Sequence, residues 1–274
     1  MLGSMVLRVF AQEKLLKLIA VGRKILDAQT ASVDLIEKVI RGADWVINNI
    51  GIIKPYIRDE NPQEVERAVL VNSLFPHRLA IAAERTGSHV LQIATDCVFS
   101  GNKGPYGESD LHDAADVYGK SKSLGEARLP YIHHLRCSII GPEEKSYLSL
   151  LEWFRKQPNN AELKGFTNHR WNGVTTLHFA KICLGIILNG LTLRYLQHVV
   201  PSDMLTKAEL LRGFSKIYKR ADLQIKDVEA KTKVDRILKT EDEVFNRTLW
   251  SVAGYSQPPH ITQMVQELAQ FDLF

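Results

Sequence analysis

Through the first 142 residues, short apolar runs alternate with stretches whose apolar positions recur at helical spacing, the pattern of a parallel sheet wound with crossover helices. Leu18-Ile19-Ala20-Val21 reads as a short strand ended by Gly22-Arg23-Lys24, and Ile25-Leu26 before Asp27 as another. Val33 to Ile40 carries a helical apolar face, and Trp45-Val46-Ile47-Asn48-Asn49-Ile50-Gly51 predicts a buried strand running into a polar, glycine-containing exit. From Asn61-Pro62 to Thr86 the pattern is one long helix, or two broken near Pro76, closed by Gly87. His89 to Ala94 is the next strand. It places Thr95 at a carboxyl end, where open parallel sheets bind their ligands. Gly101 to Asp116, rich in Gly, Pro and acids, reads as a loop, Tyr118 to Arg128 as a helix, and His134 to Pro142 as a strand with a turn.

Beyond Pro142 the alternation weakens. Helical patterns cover Leu148 to Lys156, Leu177 to Leu188 and Lys207 to Tyr218, with extended stretches at Leu163 to Thr167 and Leu196 to Val200. A last helix follows Pro258-Pro259 and runs through Leu268. The expected fold is α/β: a Rossmann-like, doubly wound parallel sheet over residues 1–142, to which 174–200 return, and a smaller C-terminal substrate lobe from 143–173 and 201–274.

Composition narrows the function classes. A chain of 274 residues with 45% hydrophobic positions can bury a large core. The most apolar run, Ile182 to Leu193, is short and broken by Gly185 and Gly190, which argues against a membrane span. Met1 to Leu18 lacks the apolar core of a secretory leader. Cys97, Cys137 and Cys183 have no metal-ligand spacing, so reduced thiols in a cytoplasmic setting and no metal site are expected. The net charge of +4 is dispersed, which suits an anionic small ligand and makes no nucleic-acid footprint. The basic stretch from Lys216 through Arg236 to Lys239 is interleaved with acids and reads as a solvated surface. His133-His134 face opposite sides of a strand and read as packing or surface residues rather than metal ligands.

Candidate chemistry centres on Tyr118-Gly119-Lys120-Ser121-Lys122. Tyr118 and Lys122 stand one helical turn apart on one face, and an ammonium beside a phenol favours the phenolate, lowering a pKa that is ordinarily about 10. The hydroxyl of Thr95 is then available to polarise a substrate carbonyl. On its own this spacing recurs by chance.

The ordered set is more specific. Ala43-Asp44-Trp45-Val46-Ile47-Asn48, Val71-Asn72, Ala94-Thr95-Asp96-Cys97-Val98-Phe99-Ser100-Gly101, Gly104-Pro105-Tyr106-Gly107-Glu108 and Val117-Tyr118-Gly119-Lys120-Ser121-Lys122 with Gly125-Glu126 resemble an extended short-chain dehydrogenase/reductase. Within that superfamily the chain is most similar to the dTDP-4-dehydrorhamnose reductase-like sugar-nucleotide proteins. The resemblance is strongest from Ala43 to Pro142 and is carried further by Arg170-Trp171-Asn172-Gly173-Val174-Thr175-Thr176. It implies reduction of a keto group on a nucleotide-linked sugar, with Tyr118 as proton donor, Lys122 tuning the phenol and holding the nicotinamide ribose, and Thr95 as hydrogen-bond donor. Asp96 and Cys97 would lie against the sugar, although the family's usual residue at position 97 is aromatic. Asn72 would support the active-site helix or serve as a buried structural amide. Asn49 and Gly51 would line the cofactor, Lys54-Pro55-Tyr56 would border the sugar, and Arg170 and Trp171 would hold a diphosphate and stack a base. By analogy a homodimer would form through Phe75 to Thr86 and Tyr118 to Arg128.

The cofactor half departs from the family pattern. A dinucleotide fold needs a first strand and a Gly-x-x-Gly-x-x-Gly turn at a helix amino end. The chain opens Met1-Leu2-Gly3-Ser4, which resembles only the last glycine, Gly3, and the helix after it, so the sheet is expected to lack its usual first strand. Either the recorded start is an internal methionine or the chain is a decayed one, and the orderly catalytic half favours the former. Arg23, with Lys24, stands at the end of the expected second strand, where a guanidinium suits a ribose 2′-phosphate and favours NADP(H) over NAD(H). Asp27 would sit near the adenine or cap a turn. The alternatives to a reductase are a sugar-nucleotide epimerase and a non-catalytic nucleotide-binding or regulatory subunit. Cys97 after Asp96 argues against a dehydratase, which needs an Asp-Glu pair there.

Overall fold

In the computed structural model, which describes residues 1–143 and 147–272, the amino-terminal half holds α1 (Leu2–Phe10), α2 (Val33–Ile40), β1 (Trp45–Asn48), α3 (Pro62–Ala68), α4 (Phe75–Thr86), β2 (His89–Thr95), α5 (Val117–Leu124) and β3 (Ile132–Cys137). There follow β4 (Ile139–Ile140), α6 (Leu150–Arg155), β5 (Glu162–Phe166), β6 (His169–Trp171), β7 (Val174–Thr175), α7 (Thr176–Leu188) and β8 (Leu196–His198). The last part holds β9 (Leu205–Thr206), α8 (Lys207–Ile217), β10 (Gln224–Val228), β11 (Val234–Asp235), α9 (Glu243–Val252) and α10 (Ile261–Asp272).

Strands β1, β2, β3 and β8 pair in parallel in the order β1-β2-β3-β8. Successive side chains of a strand point to opposite faces, and each face buries its own core. Trp45, Ile47, Leu91, Ile93, Leu135 and Cys137 pack with α1, α7 and α10, while Val46, Val90 and Ile132 pack with α2 and α4. The sheet is therefore doubly wound, as expected. The smaller lobe hangs on short pieces: β5 pairs with β10, and β6 lies between β9 and β11. Local signals set the helix starts. The Ser32 hydroxyl accepts from Leu35 N, the Asn61 side chain accepts from Gln63 N and Glu64 N ahead of Pro62, and Thr206 and Glu209 cap each other's backbone reciprocally.

The two strands expected at Leu18 to Val21 and Ile25-Leu26 do not form. Residues 11–32 run through turns, with Leu15 83% and Ile19 68% exposed. β1 keeps an open edge that residues 18–21 do not join, and the backbone after them bonds within turns instead, Ile25 N to Gly22 O and Ala31 N to Asp27 O. For the same reason β1 is half-buried rather than buried. The helix from Asn61 to Thr86 is broken as anticipated, but by a wider π-type turn over Val69–Leu74 that ends just before Pro76, which stands in the first turn of α4. Gly87, with φ 73°, ends α4 in the left-handed conformation. Helix α5 stops at Leu124 instead of Arg128, and β6, β9, β10, β11 and α9 were not foreseen. His133 packs on Trp45 and His89, and His134 bonds Ala127 O, so neither faces a metal; among the described residues no group of His, Cys, Asp or Glu could hold one. No described helix is long and apolar enough to cross a membrane.

Helix α5 stops where it does because it touches backbone. A Cβ on Gly125 would lie 1.9 Å from Asn72 O. Gly125→Ala is expected to cost about 1–3 kcal/mol by overpacking, read as a lower urea midpoint with unchanged slope. An unchanged midpoint would show that α5 is not pressed on the π-type turn.

Candidate active site

Strand β2 delivers Thr95 in extended conformation, and the chain then tightens into a 3-10 turn over Asp96–Val98. The Thr95 hydroxyl accepts from Cys97 N at 3.2 Å and donates to Asp96 Oδ1 at 3.2 Å. Helix α5 is capped by Asp116, whose carboxylate accepts from Gly119 N at 2.8 Å and pairs with Lys54 Nζ at 2.7 Å. Its first turn lies directly on the 96–98 segment: a Cβ on Gly119 would fall 2.3 Å from Cys97 O. Only glycine permits that approach, and it brings Tyr118 beside Thr95, Asp96 and Cys97.

The other side of α5 is bolted to the π-type turn. Ser73 Oγ donates to Ser121 O at 2.7 Å, and Asn72 Nδ2 reaches Ser121 Oγ at 3.2 Å. Asn72 also accepts from Ile52 N and donates to Ile52 O, so it is a buried structural amide that supports the helix. Lys54-Pro55-Tyr56 forms a 3-10 turn whose lysine joins the α5 cap.

Burial dominates the titration of the cluster. It pushes the Tyr118 phenol up, and the negative charges of Cys97 and Asp96 add to it, while the Thr95 hydroxyl opposes it. Burial pulls Lys122 down to about 8 against the opposing Glu126 carboxylate, and Lys122 Nζ donates to Ile93 O at 3.1 Å. The expectation that Lys122 lowers the phenol is therefore corrected. Desolvation outweighs any attraction, and the lysine spends its hydrogen bond on β2. Asp96 is raised by burial over the opposing Arg236 charge. The Cys97 thiol rises to about 12 through burial and then Asp96. The cluster as it stands offers a protonated phenol and a hydroxyl on one side, and a buried ammonium below.

On the expected cofactor side, the amino end of α1 meets the carboxyl end of β1. A Cβ on Gly3 would lie 3.7 Å from Asn49 Cβ, an ordinary contact, and one on Gly51 3.5 Å from Asn72 Oδ1. The buried Asn49 Oδ1 has no hydrogen-bond partner, an acceptor awaiting a donor. Asp27 caps its own turn, accepting from Gln29 N at 3.0 Å, the second of its two expected roles. Arg23 is exposed in a turn rather than at a strand end, because the strand is absent.

Arg170 and Trp171 lie on β6, but both are engaged within the protein: Arg170 pairs with Asp235 of the lobe at 2.8 Å, and the Trp171 indole donates to Ser138 Oγ, just after β3, at 2.8 Å. Arg236 is the reverse case. Assigned to a solvated basic surface, it instead donates to Phe99 O at 2.8 Å and brings its guanidinium within 4.0 Å of Cys97 Sγ. The available signal was its position between Asp235 and the apolar pair Ile237-Leu238, which marks a chain turning inward.

Residues 1–268 match the family described as RmlD substrate binding domain. A dTDP-4-dehydrorhamnose reductase of Aggregatibacter actinomycetemcomitans is 36% identical over 111 residues, 37% of this chain and 38% of that protein. Methionine adenosyltransferase 2 subunit beta of Danio rerio is 31% identical over 166 residues, 56% and 51% of the two chains. The spore coat polysaccharide biosynthesis protein SpsK of Bacillus subtilis is 41% identical over 70 residues, 25% and 24%. The chain thus spans from about a quarter to about half the length of these curated relatives. Among solved structures, a dTDP-4-dehydrorhamnose reductase from Yersinia enterocolitica superposes with TM-score 0.78 at 15% identity, over 98% of this chain and 95% of that one. One from Clostridium acetobutylicum gives 0.77 at 18%, over 100% and 96%. At such identity the likeness is one of fold, a Rossmann-like one.

A thiol at about 12 is an inert one. Cys97 is expected to alkylate with iodoacetamide at pH 8 at least about tenfold more slowly than a free thiol of pKa about 8.5, as read by peptide mass spectrometry. Labelling at the free-thiol rate would show that Cys97 is not held desolvated beside Asp96.

Proposed function

Because the chain belongs to the RmlD substrate binding domain family, we propose that it reduces a keto group on a nucleotide-linked sugar, with a nicotinamide dinucleotide as reductant. The observation that carries the reading is the convergence of Thr95 and the protonated Tyr118 at the carboxyl end of a parallel sheet. The cofactor suits the residues present: Asn49 Oδ1 is a buried acceptor without a partner, and Lys122, Gly51 and the amino end of α1 border the same end of the sheet. When bound, that group supplies the hydride.

The chain's own residues do the rest. Thr95 orients the carbonyl, and Tyr118 gives its phenolic proton to the carbonyl oxygen as charge develops there. The neutral phenol favoured by burial is the form that step needs. Lys122 holds the ribose and, once engaged near the phenol, stabilises the phenolate left behind. Asp96, Cys97 and Arg236 wall the sugar. The preference for NADP(H) over NAD(H) rests on Arg23 as a residue type suited to a 2′-phosphate, and not on its place in a turn. In this reading residues 1–142 with 174–200 take the dinucleotide, and 143–173 with 201–274 take the sugar nucleotide. Two copies would pair through α4 and α5 in the cytoplasm.

A second reading, a nucleotide-binding subunit without turnover, is favoured by the 166-residue match to a protein named as a subunit. Tyr118→Phe separates the two. It is expected to leave the enhancement of NADPH fluorescence intact and to lower reduction of a dTDP-4-keto sugar by about 100-fold or more. Turnover retained in the variant would sink the role of Tyr118, and fluorescence enhancement without turnover in the unmodified protein would favour the subunit.

A further inference from the structure

A second buried cluster stands behind the candidate site. Arg136 on β3 is 0% exposed, and its Nη2 donates to both oxygens of Glu126, at 2.7 and 2.6 Å. Nη2 also reaches His112 Nε2 at 2.8 Å, Nη1 reaches His198 Nε2 at 2.9 Å, and the guanidinium lies 5.2 Å over the Phe99 ring. An arginine only donates, so both imidazoles accept and are neutral. Each has a place for its remaining proton: His112 Nδ1 on Ser123 Oγ at 2.7 Å and His198 Nδ1 on Lys239 O at 2.7 Å. Burial depresses both histidines, consistent with that state.

The four contacts come from four different pieces of chain. Phe99 follows the Thr95 turn, His112 lies in the loop before α5, Glu126 follows α5 by two residues, and His198 ends β8. Glu126 also stands one helical turn beyond Lys122 and is the charge that acts on it. Resting on the reductase reading, we propose that Arg136 is a positioning residue for that site: by clamping Glu126 it fixes the end of the Tyr118/Lys122 helix against the Thr95 segment and sets the negative field felt by the Lys122 ammonium.

The sign of the field is testable without turnover. The titratable and charged groups around the clamp are Lys122, Glu126 and Arg128 on and after α5, His112 and Asp113 in the loop, His134 and Arg136 on β3, Tyr195 just before β8, and His198 on β8 with Glu108 behind it at 3.9 Å. With Arg136→Met the Glu126 carboxylate acts on Lys122 without its counter-charge, and the lysine keeps its proton to higher pH. With Glu126→Gln the buried guanidinium remains alone, and the lysine loses its proton at lower pH. The double variant removes both charges.

Competitive acetylation of Lys122 across about pH 6 to 10, read by peptide mass spectrometry on the full chain, gives the midpoint in each protein. The expected result is a midpoint about one unit higher in Arg136→Met, about one unit lower in Glu126→Gln, and near the original in the double variant, each unit being a tenfold change in the reactive fraction. Arg136→Lys keeps the charge and should hold the midpoint while loosening the clamp. If Arg136→Met fails to fold, the double variant carries the test: a midpoint about one unit above that of Glu126→Gln supports the role of Arg136, and a midpoint equal to it overturns that role. Equal midpoints in the unmodified protein and Glu126→Gln, whatever the change in stability, would overturn the proposal. A shifted midpoint in a protein without turnover would instead count against the reductase reading alone.

Discussion

The structure of the site depends on how closely one short helix approaches two backbone carbonyls. Helix α5 has eight residues, too few to be stable alone, so its position comes from what it rests on. At one end Gly119 lies on Cys97 O, and at the other Gly125 lies on Asn72 O. Any side chain at either glycine would lift the helix from the sheet end. The Asp116 cap, the Ser73 bond to Ser121 O and the Asn72 bridge to Ile52 act on a helix already seated by these contacts. Tyr118 meets Thr95 because of that seating, and Lys122 lies near enough to β2 to bond Ile93 O.

Seating the helix so deeply has an electrostatic cost that runs in one direction. Tyr118, Asp96 and Cys97 are raised and Lys122 is lowered, so each of the four shifts toward its neutral form. Desolvation wins over the opposite charges nearby, including Arg236 on Asp96 and Glu126 on Lys122. The helical-face argument from sequence weighs only the Tyr/Lys attraction, which is why it gives the wrong direction for the phenol. Burial beside Thr95, Asp96 and Cys97 favours the neutral phenol, and a lysine near 8 responds to any new charge beside it.

Most of the fold around the site is legible in the sequence, because its signals are local. Alternating apolar runs place β2 and β3, and the Gly-, Pro- and acid-rich loop ending at Asp116 places the start of α5 within a residue or two. What was not legible depends on contacts between distant parts of the chain. Arg236 looks like its solvated neighbours until Phe99 O, far back in the sequence, accepts from it. Trp171 and Arg170 look like ligand-binding residues until Ser138 and Asp235 take their hydrogen bonds. A side chain's chemistry can be read from its type, whereas its availability depends on partners that the sequence does not order.

The strand that fails to form at Leu18 to Val21 carries the same point to the backbone. Its residues have strand pattern and strand propensity, and they remain exposed in turns. A strand is a property of a pair, and residues 18–21 stay in irregular backbone although β1 leaves one edge open beside them in the sheet order, so pattern and propensity alone do not make the pairing. The helices packed on both faces of β1 are in place all the same, because α1 and α2 are held by side-chain burial, which needs no register. The layers on the two faces of β1 therefore assemble from apolar contact alone. Arg23 and Asp27 lie in the unpaired stretch and stay where turns put them. The placement of those two residues is thus the part of this fold most sensitive to what pairs with the β1 edge, and the placement of Tyr118 the least, since α5 is seated by the 96–98 segment and its π-type support.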